Sequence, residues 1–341
     1  MYHKESFLSS DMPVIVWSPN GGQSLGVNDL SDYLASQKEL ILSRIQEKGG
    51  ILLRGFECIR TSDDYQKILD AVAPDLMEYI GGTSPRKVVN GRIMTATEIP
   101  GSYSIPLHQE MSYTDNSPDL ISFFCEIPPE NGGETTIGDM RAITREIRDD
   151  VRARFLAHNG IQLCRNLPTP ERVEMRPGVP KSWPEAMGTH IREEAENVAV
   201  KSGWRYEWLE DGSMQLWQEI RPATRKHPLT GEEVWFNQIQ IFSPVLSLKW
   251  AREDGRDDAA DRLSKALAEA PHLLDHMRYG DGLQIDEEDA LHIYDTLSAN
   301  AVPLQWQRGD VLFLDNILVA HGRRKFSGQR RILTALIQHA H

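Results

Sequence analysis

Apolar and polar positions along this chain alternate between two periods. Over residues 31–46, Leu34, Ile41, Leu42 and Ile45 recur at helical spacing, Asp29 is placed as a cap, and Gly49 with Gly50 ends the pattern. The apolar run 50–56 that follows is short and bounded by glycines, which predicts a buried strand. A second amphipathic helix is expected over 63–72, capped by Thr61 or Ser62 and stopped by Pro74. Short apolar runs separated by Pro, Gly and Asn over 93–136 predict β-structure, and 141–158 predicts a helix. Residues 167–184 carry five prolines (Pro168, Pro170, Pro177, Pro180 and Pro184), which excludes a regular core element and predicts a long connection or lid. Beyond it the pattern predicts a helix over 185–202 and a hairpin turning at Asp211 and Gly212. A core strand over 234–236, helices over 257–270 and 286–298, and strands over 302–306, 311–314 and 331–337 complete the reading. The mixed-charge stretch 252–258 reads as a solvated turn.

The chain has 341 residues, long enough for two domains, with 37 Lys and Arg against 50 Asp and Glu for a net charge of −13. That balance argues against partners that need a positive field, so neither nucleic acid nor an anionic membrane surface is expected. No apolar run approaches the roughly 18 residues that span a bilayer, and the first residues lack a signal-peptide pattern, so a cytoplasmic protein is expected. Cys58, Cys125 and Cys164 are too far apart for a metal motif and odd in number, which predicts idle thiols. Nothing in the sequence sets an oligomeric state.

The chemistry concentrates in three places. His108 and Glu110 stand two residues apart after Pro106 and Leu107, a spacing that turns both side chains to one face of a strand. His321 ends an apolar run and is followed by Gly322, where backbone can approach a ligand. Two histidines and one carboxylate are the facial set of non-haem Fe(II) sites with open positions. Downstream, Arg331 starts a β-like run with Arg330 beside it, and a guanidinium there can grip a carboxylate with paired hydrogen bonds. The turn at Asn131, Gly132 and Gly133 precedes Thr135, whose hydroxyl can add one more bond to the same carboxylate.

In this order, His108-x-Glu110, the Gly132–Thr135 turn, His321 and Arg331 resemble the taurine dioxygenase/TfdA-type family of Fe(II)- and 2-oxoglutarate-dependent oxygenases. Segments 110–113, 234–238 and 320–323 are similar in particular to its syringomycin-type amino-acid hydroxylase branch, enzymes of specialised metabolism. The resemblance implies an α+β fold: a double-stranded β-helix (jelly-roll) core, flanking helices and a long insertion or lid at about 167–226. Fe(II) would be held by His108, Glu110 and His321, the co-substrates would be 2-oxoglutarate and O2, and Arg331 with Thr135 would bind 2-oxoglutarate. Many members carry a second arginine where this chain has Ala335, so Arg330 is a further candidate for that clamp. Retention of Glu110, which related halogenases replace by a small residue, implies hydroxylation, with desaturation or cyclisation also open. Ser104, Tyr113, Trp235, Asn237 and Arg323 flank these motifs as candidate substrate contacts. The expected substrate is a free amino acid or similar small metabolite. An aminoacyl group on a carrier protein is the alternative, one that would need a basic patch near 172–181. A jelly-roll metal-binding protein or zinc hydrolase is the remaining reading, and it has no use for Arg331. His108 and His321 must meet at one metal, so the whole of 1–341 is expected to be one domain.

Overall fold

Two β-sheets share the centre of the computed structural model, which describes residues 2–21, 25–79, 84–175 and 181–338. The larger has eight strands in the order His3–Phe7, Ile15–Pro19, Gly50–Leu53, Val311–Asp315, Leu120–Ile127, Arg331–Ile337, Ile93–Thr95 and Val88–Asn90. Its pairings are antiparallel except that of Ile15–Pro19 with Gly50–Leu53. The smaller sheet places Val302–Leu304, Thr135–Asp139, Val319–Arg323 and Ile105–His108 side by side, all antiparallel.

Alternation along the strand Val311–Asp315 shows how the layers stack. Leu312 and Leu314 enter a core shared with Ile137, Leu304 and Leu107 of the smaller sheet. Val311 and Phe313 point the other way, into a core with Leu30, Ile41 and Ile68 of the helices Val27–Ser36, Lys38–Lys48 and Ser62–Val72. A strand covered on both faces reads as a continuous apolar run, which is why 311–314 carries no polar alternation.

Of the two expected caps for helix Ser62–Val72, Thr61 serves, in a reciprocal box with Asp64. The helix expected over 31–46 is instead two helices, broken at Gln37. Asp29 lies within the first turn, accepting the Gly26 N–H at 3.2 Å, and Gly49 closes the second helix at φ 107°. The spans 141–158 and 185–202 likewise each hold two helices, Met140–Glu146 with Asp149–Ala157 and Trp183–Met187 with Arg192–Lys201.

Ile161–Leu167 lies between Met214–Trp217 and His276–Tyr279 in a separate four-stranded sheet, and Arg205–Trp208 forms the expected hairpin with Met214–Trp217. Pro177 and Pro180 lie outside the described residues. Pro170 opens a short 3-10 helix and Pro184 sits in the first turn of Trp183–Met187, positions where a missing N–H costs nothing. Leu167, Trp183, Met187, Ala195, Ala199, Met214 and Leu216 form a small core of their own. The expected strand at 234–236 is Glu233–Trp235, which among the described residues pairs with Thr224–Lys226 in a two-stranded sheet. The 252–258 stretch is not merely a solvated turn: Asp254 accepts the Ser104 N–H at 2.9 Å, and the Arg256 guanidinium lies 4.2 Å from the Tyr103 ring centre. Among the described residues no helix is long and apolar enough to cross a membrane.

Candidate active site

The two histidines meet because their strands are neighbours. His108, last residue of Ile105–His108, lies directly across the smaller sheet from His321 in Val319–Arg323. Gly322 permits that approach, since a Cβ there would lie 2.4 Å from the Ile105 carbonyl oxygen and 2.6 Å from Thr136 Oγ1. The glycine beside His321 therefore admits a neighbouring strand rather than a ligand.

Glu110 stands just past the strand, in a turn where Met111 takes φ 52°. Side-chain amides hold this turn. Asn316 accepts the Glu110 N–H at 2.7 Å and donates to the carbonyls of Glu110 and Pro118 at 2.9 and 3.0 Å. Gln109 donates to the carbonyls of Trp235 and Ile317, while Gln238 and Gln240 donate to those of Gln109 and Leu107. Asp315 in turn accepts the N–H groups of Ile317 and Leu318, both at 2.9 Å. These buried bonds fix backbone positions that a bare turn would leave free.

The ligand atoms of His108, Glu110 and His321 lie within 4.8 Å of one another, and Glu110 Oε2 is 3.9 Å from Nε2 of each histidine. His108 Nδ1 donates to the Pro106 carbonyl at 3.0 Å, which leaves the Nε2 lone pair facing the centre. Burial pushes the pKa of both imidazoles down, that of His321 well below the usual histidine value, so both are neutral donors at pH 7. Two neutral imidazoles and a carboxylate converging at one buried point are a donor set that fits a divalent iron with positions to spare.

Two small chambers adjoin the triad. One, of about 30 Å³, is lined by His108, His321, Arg86, Thr135, Arg323 and Arg330 among others. The other, of about 60 Å³, is lined by Glu110, His108, Ser84, Tyr113, Gln238 and Trp250 among others. An open cleft of about 980 Å³ also reaches Arg323 and Arg330 from outside.

The arginine pair requires a correction. Arg331 does not reach the triad; its guanidinium is half exposed and pairs with Glu126. Arg331 lies opposite Ile127 but Ile332 opposite Cys125, so Glu126 is the extra residue of a β-bulge. Neighbouring residues at a strand start face opposite sides, so only one of the two arginines can enter the site. Arg330 instead enters the chamber, donating Nε to the Gly133 carbonyl at 3.1 Å. Burial, with Arg323 beside it, pushes its guanidinium down to about 9, the mark of a buried cation short of an anion. Thr135 lines the same chamber, its Oγ1 accepting from Trp306 Nε1 at 2.9 Å.

Of the candidate substrate contacts, Tyr113 lines the second chamber, its ring edge 5.3 Å from Phe242, and Arg323 lines the first. Arg323 donates to the carbonyls of Ile99, Pro100 and Tyr103, which fastens the 97–103 loop over the site. Ser104, Trp235 and Asn237 line neither chamber. Ser104 Oγ accepts from Trp250 Nε1 at 2.8 Å. Trp235 is buried against Phe155, and Asn237 bonds the Ala223 carbonyl and the Ile239 N–H. Their flanking positions in sequence reflect packing beside the site.

Arg86 escaped the sequence reading. Its Nη2 donates to Glu110 Oε2 at 2.7 Å, its side chain is 3% exposed, and it lies over the Tyr79 ring at 4.7 Å. No local pattern marks an arginine after Pro85 as anything but surface. Asn316 carried a weak signal, since with Asp315 it interrupts the apolar run 311–320.

The chain is similar to known proteins in sequence and in fold. The family model for the taurine catabolism dioxygenase TauD, TfdA family matches residues 18–336. The chain is 33% identical to the dapdiamide synthesis protein DdaC of Enterobacter agglomerans over 295 residues, covering 86% of this chain and 83% of that one. It is 29% identical to a clavaminate synthase-like protein of Arabidopsis thaliana over 338 residues, covering 98% and 96%. Among solved structures, PvcB of Pseudomonas aeruginosa shares the fold, with a TM-score of 0.50 at 15% identity over 99% of this chain and 95% of that one. The chain thus belongs to the taurine catabolism dioxygenase TauD, TfdA family, and is an Fe(II)- and 2-oxoglutarate-dependent dioxygenase that uses O2.

Proposed function

We propose that this dioxygenase hydroxylates an unactivated C–H bond of a free amino acid or related small metabolite in a biosynthetic pathway, as in the syringomycin-type branch. In this reading His108, Glu110 and His321 are the iron ligands, and Arg330 with Thr135 takes the far carboxylate of 2-oxoglutarate in place of Arg331. The observation that carries it is the convergence of the three ligand atoms within 4.8 Å beside a chamber lined by Arg330 and Thr135. Iron and 2-oxoglutarate, when bound, supply the oxidising power drawn from O2. The chain's own residues do the rest. The amide network aims Glu110, the Pro106 carbonyl sets the His108 tautomer, and Arg323 closes the 97–103 loop to exclude water. Glu110 occupies the position a halide would need, which favours hydroxylation.

The two facing sheets are read as a jelly-roll within one domain, with 167–226 as an inserted cover. Likeness to a dapdiamide synthesis protein supports an amino-acid-related substrate. A free substrate is favoured because an acidic carrier domain would be repelled by a chain of net charge −13. The test is anaerobic addition of Fe(II) and 2-oxoglutarate, followed by the weak visible charge-transfer band of the chelate. The wild type should show the band and His108→Ala should not. Succinate release over a panel of amino acids, free and carrier-bound, then identifies the substrate, and release with carrier-bound members alone would overturn the free-substrate reading.

A further inference from the structure

We propose that Arg86 is a carboxylate receptor beside the metal position, and that the carboxylate it takes belongs to the primary substrate, which is therefore a free acid rather than an ester, amide or thioester. The inference rests on the dioxygenase reading and on an amino-acid-like substrate, and names the group by which that substrate is recognised.

Three observations carry it. First, the Arg86 side chain is 3% exposed, yet among the described residues only Nη2 has a hydrogen-bond partner, with the Tyr79 ring against the guanidinium; Nε and Nη1 are buried without one. A guanidinium presents five N–H donors in a planar fork, and leaving them dry and unpaired is costly unless a ligand completes them. Second, its one partner is the oxygen of Glu110 that also faces both histidines, at 2.7 Å from Arg86 and 3.9 Å from each Nε2. A metal held by the triad would compete with Arg86 for that oxygen, and the fork of Arg86 would then be open to a second carboxylate. Third, the ion pair stands in the partition between the two chambers. Arg86 lines the one that also holds Arg330 and Thr135, while Glu110 and Ser84 line the other with Tyr113, Gln238 and Trp250.

Charge decides which carboxylate. 2-Oxoglutarate has one carboxylate for the metal and one for Arg330. With Fe(II), Arg86, Arg323 and Arg330 against Glu110 and a dianionic co-substrate, the buried site remains net positive. A substrate carrying its own free carboxylate reduces that excess, and an ester or thioester does not.

The experiment has two arms, on the full chain loaded anaerobically with Fe(II). In the first, 2-oxoglutarate is titrated into wild type, R86Q and R86K, with the charge-transfer band as readout. In the second, succinate release is measured for free L-amino acids and for their α-amides. The expected result is a 2-oxoglutarate affinity within about twofold in all three proteins. The wild type should prefer acid over amide by roughly 100-fold or more, as a site built to bond a polar group does. R86Q should lose that preference through a raised KM for the acid alone, with R86K recovering part of it. A tenfold weaker 2-oxoglutarate affinity in R86Q would assign the carboxylate to the co-substrate and overturn the proposal. Equal turnover of acids and amides by the wild type would also overturn it, while leaving amino-acid oxidation intact. If the wild type forms the band but turns over no acid, the amino-acid reading falls and this inference with it. Absence of the band from both variants would make Arg86 a support for Glu110 alone.

Discussion

On the Glu110 side of the site, side-chain amides answer backbone groups almost one for one. Asn316 serves three groups, Gln109 two, and Gln238 one. Across the partition, Arg86 keeps two nitrogens without partners, Arg323 keeps its Nε so, and burial pushes the Arg330 guanidinium down. The first wall meets most of its polar groups within the protein, Gln240 Oε1 and Ser112 Oγ excepted, whereas the second is a buried cationic surface that an anion would complete. A metal site needs its ligands aimed in advance, and an anion site needs donors that nothing internal has consumed.

The largest effects should come from breaking the aimed wall. His108→Ala or Glu110→Ala should abolish the charge-transfer band and lower turnover at least about 100-fold, beyond what losing a supporting hydrogen bond costs. Asn316→Ala should come next. It strands the Glu110 N–H and two buried carbonyls, and at about 1 to 3 kcal/mol for each unsatisfied group it should cost roughly 3 kcal/mol of stability in denaturant unfolding. Activity should fall with it even in the folded fraction, because Glu110 loses its aim.

On the cationic wall, Arg330→Ala should raise the KM for 2-oxoglutarate by about 30-fold, the order expected when one partner of a buried charge pair is removed. Its folding stability should hold or rise, since the cation is undercompensated without ligand; a fall of several kcal/mol would show that Arg330 belongs to the self-satisfied wall. The smallest effect is expected at its neighbour. Arg331→Ala removes an ion pair whose partners are 47% and 24% exposed, so stability should change by less than about 1 kcal/mol and the KM by less than about twofold. A larger change in KM for Arg331 than for Arg330 would reverse the assignment of the two.

Much of this arrangement was legible in the chain. Residues 311–314 announced a strand, Thr61 or Ser62 with the acidic residues after them announced a helix start, and His108, Glu110 and His321 were grouped by residue type and order. The failures share a cause. Gln37 divides an apparently continuous helix, and of the neighbours Arg330 and Arg331, which must face opposite ways, residue type alone could not say which faces in. Periodicity fixes spacing along an element but not where the element breaks or which of its two faces lies inward.

What the sequence supplied by itself was a set of candidates: two histidines and a glutamate of the type that holds a divalent iron, a pair of arginines able to grip a carboxylate, and apolar strands and amphipathic helices to bury them. What only the tertiary structure decided was who faces whom. Arg86 meets Glu110, Asn316 clamps the turn from far along the chain, and Ser104, Trp235 and Asn237 settle into packing. Burial makes the difference. A guanidinium after Pro85 is unremarkable in water, and becomes a demand for an anion only once the fold has removed the water around it.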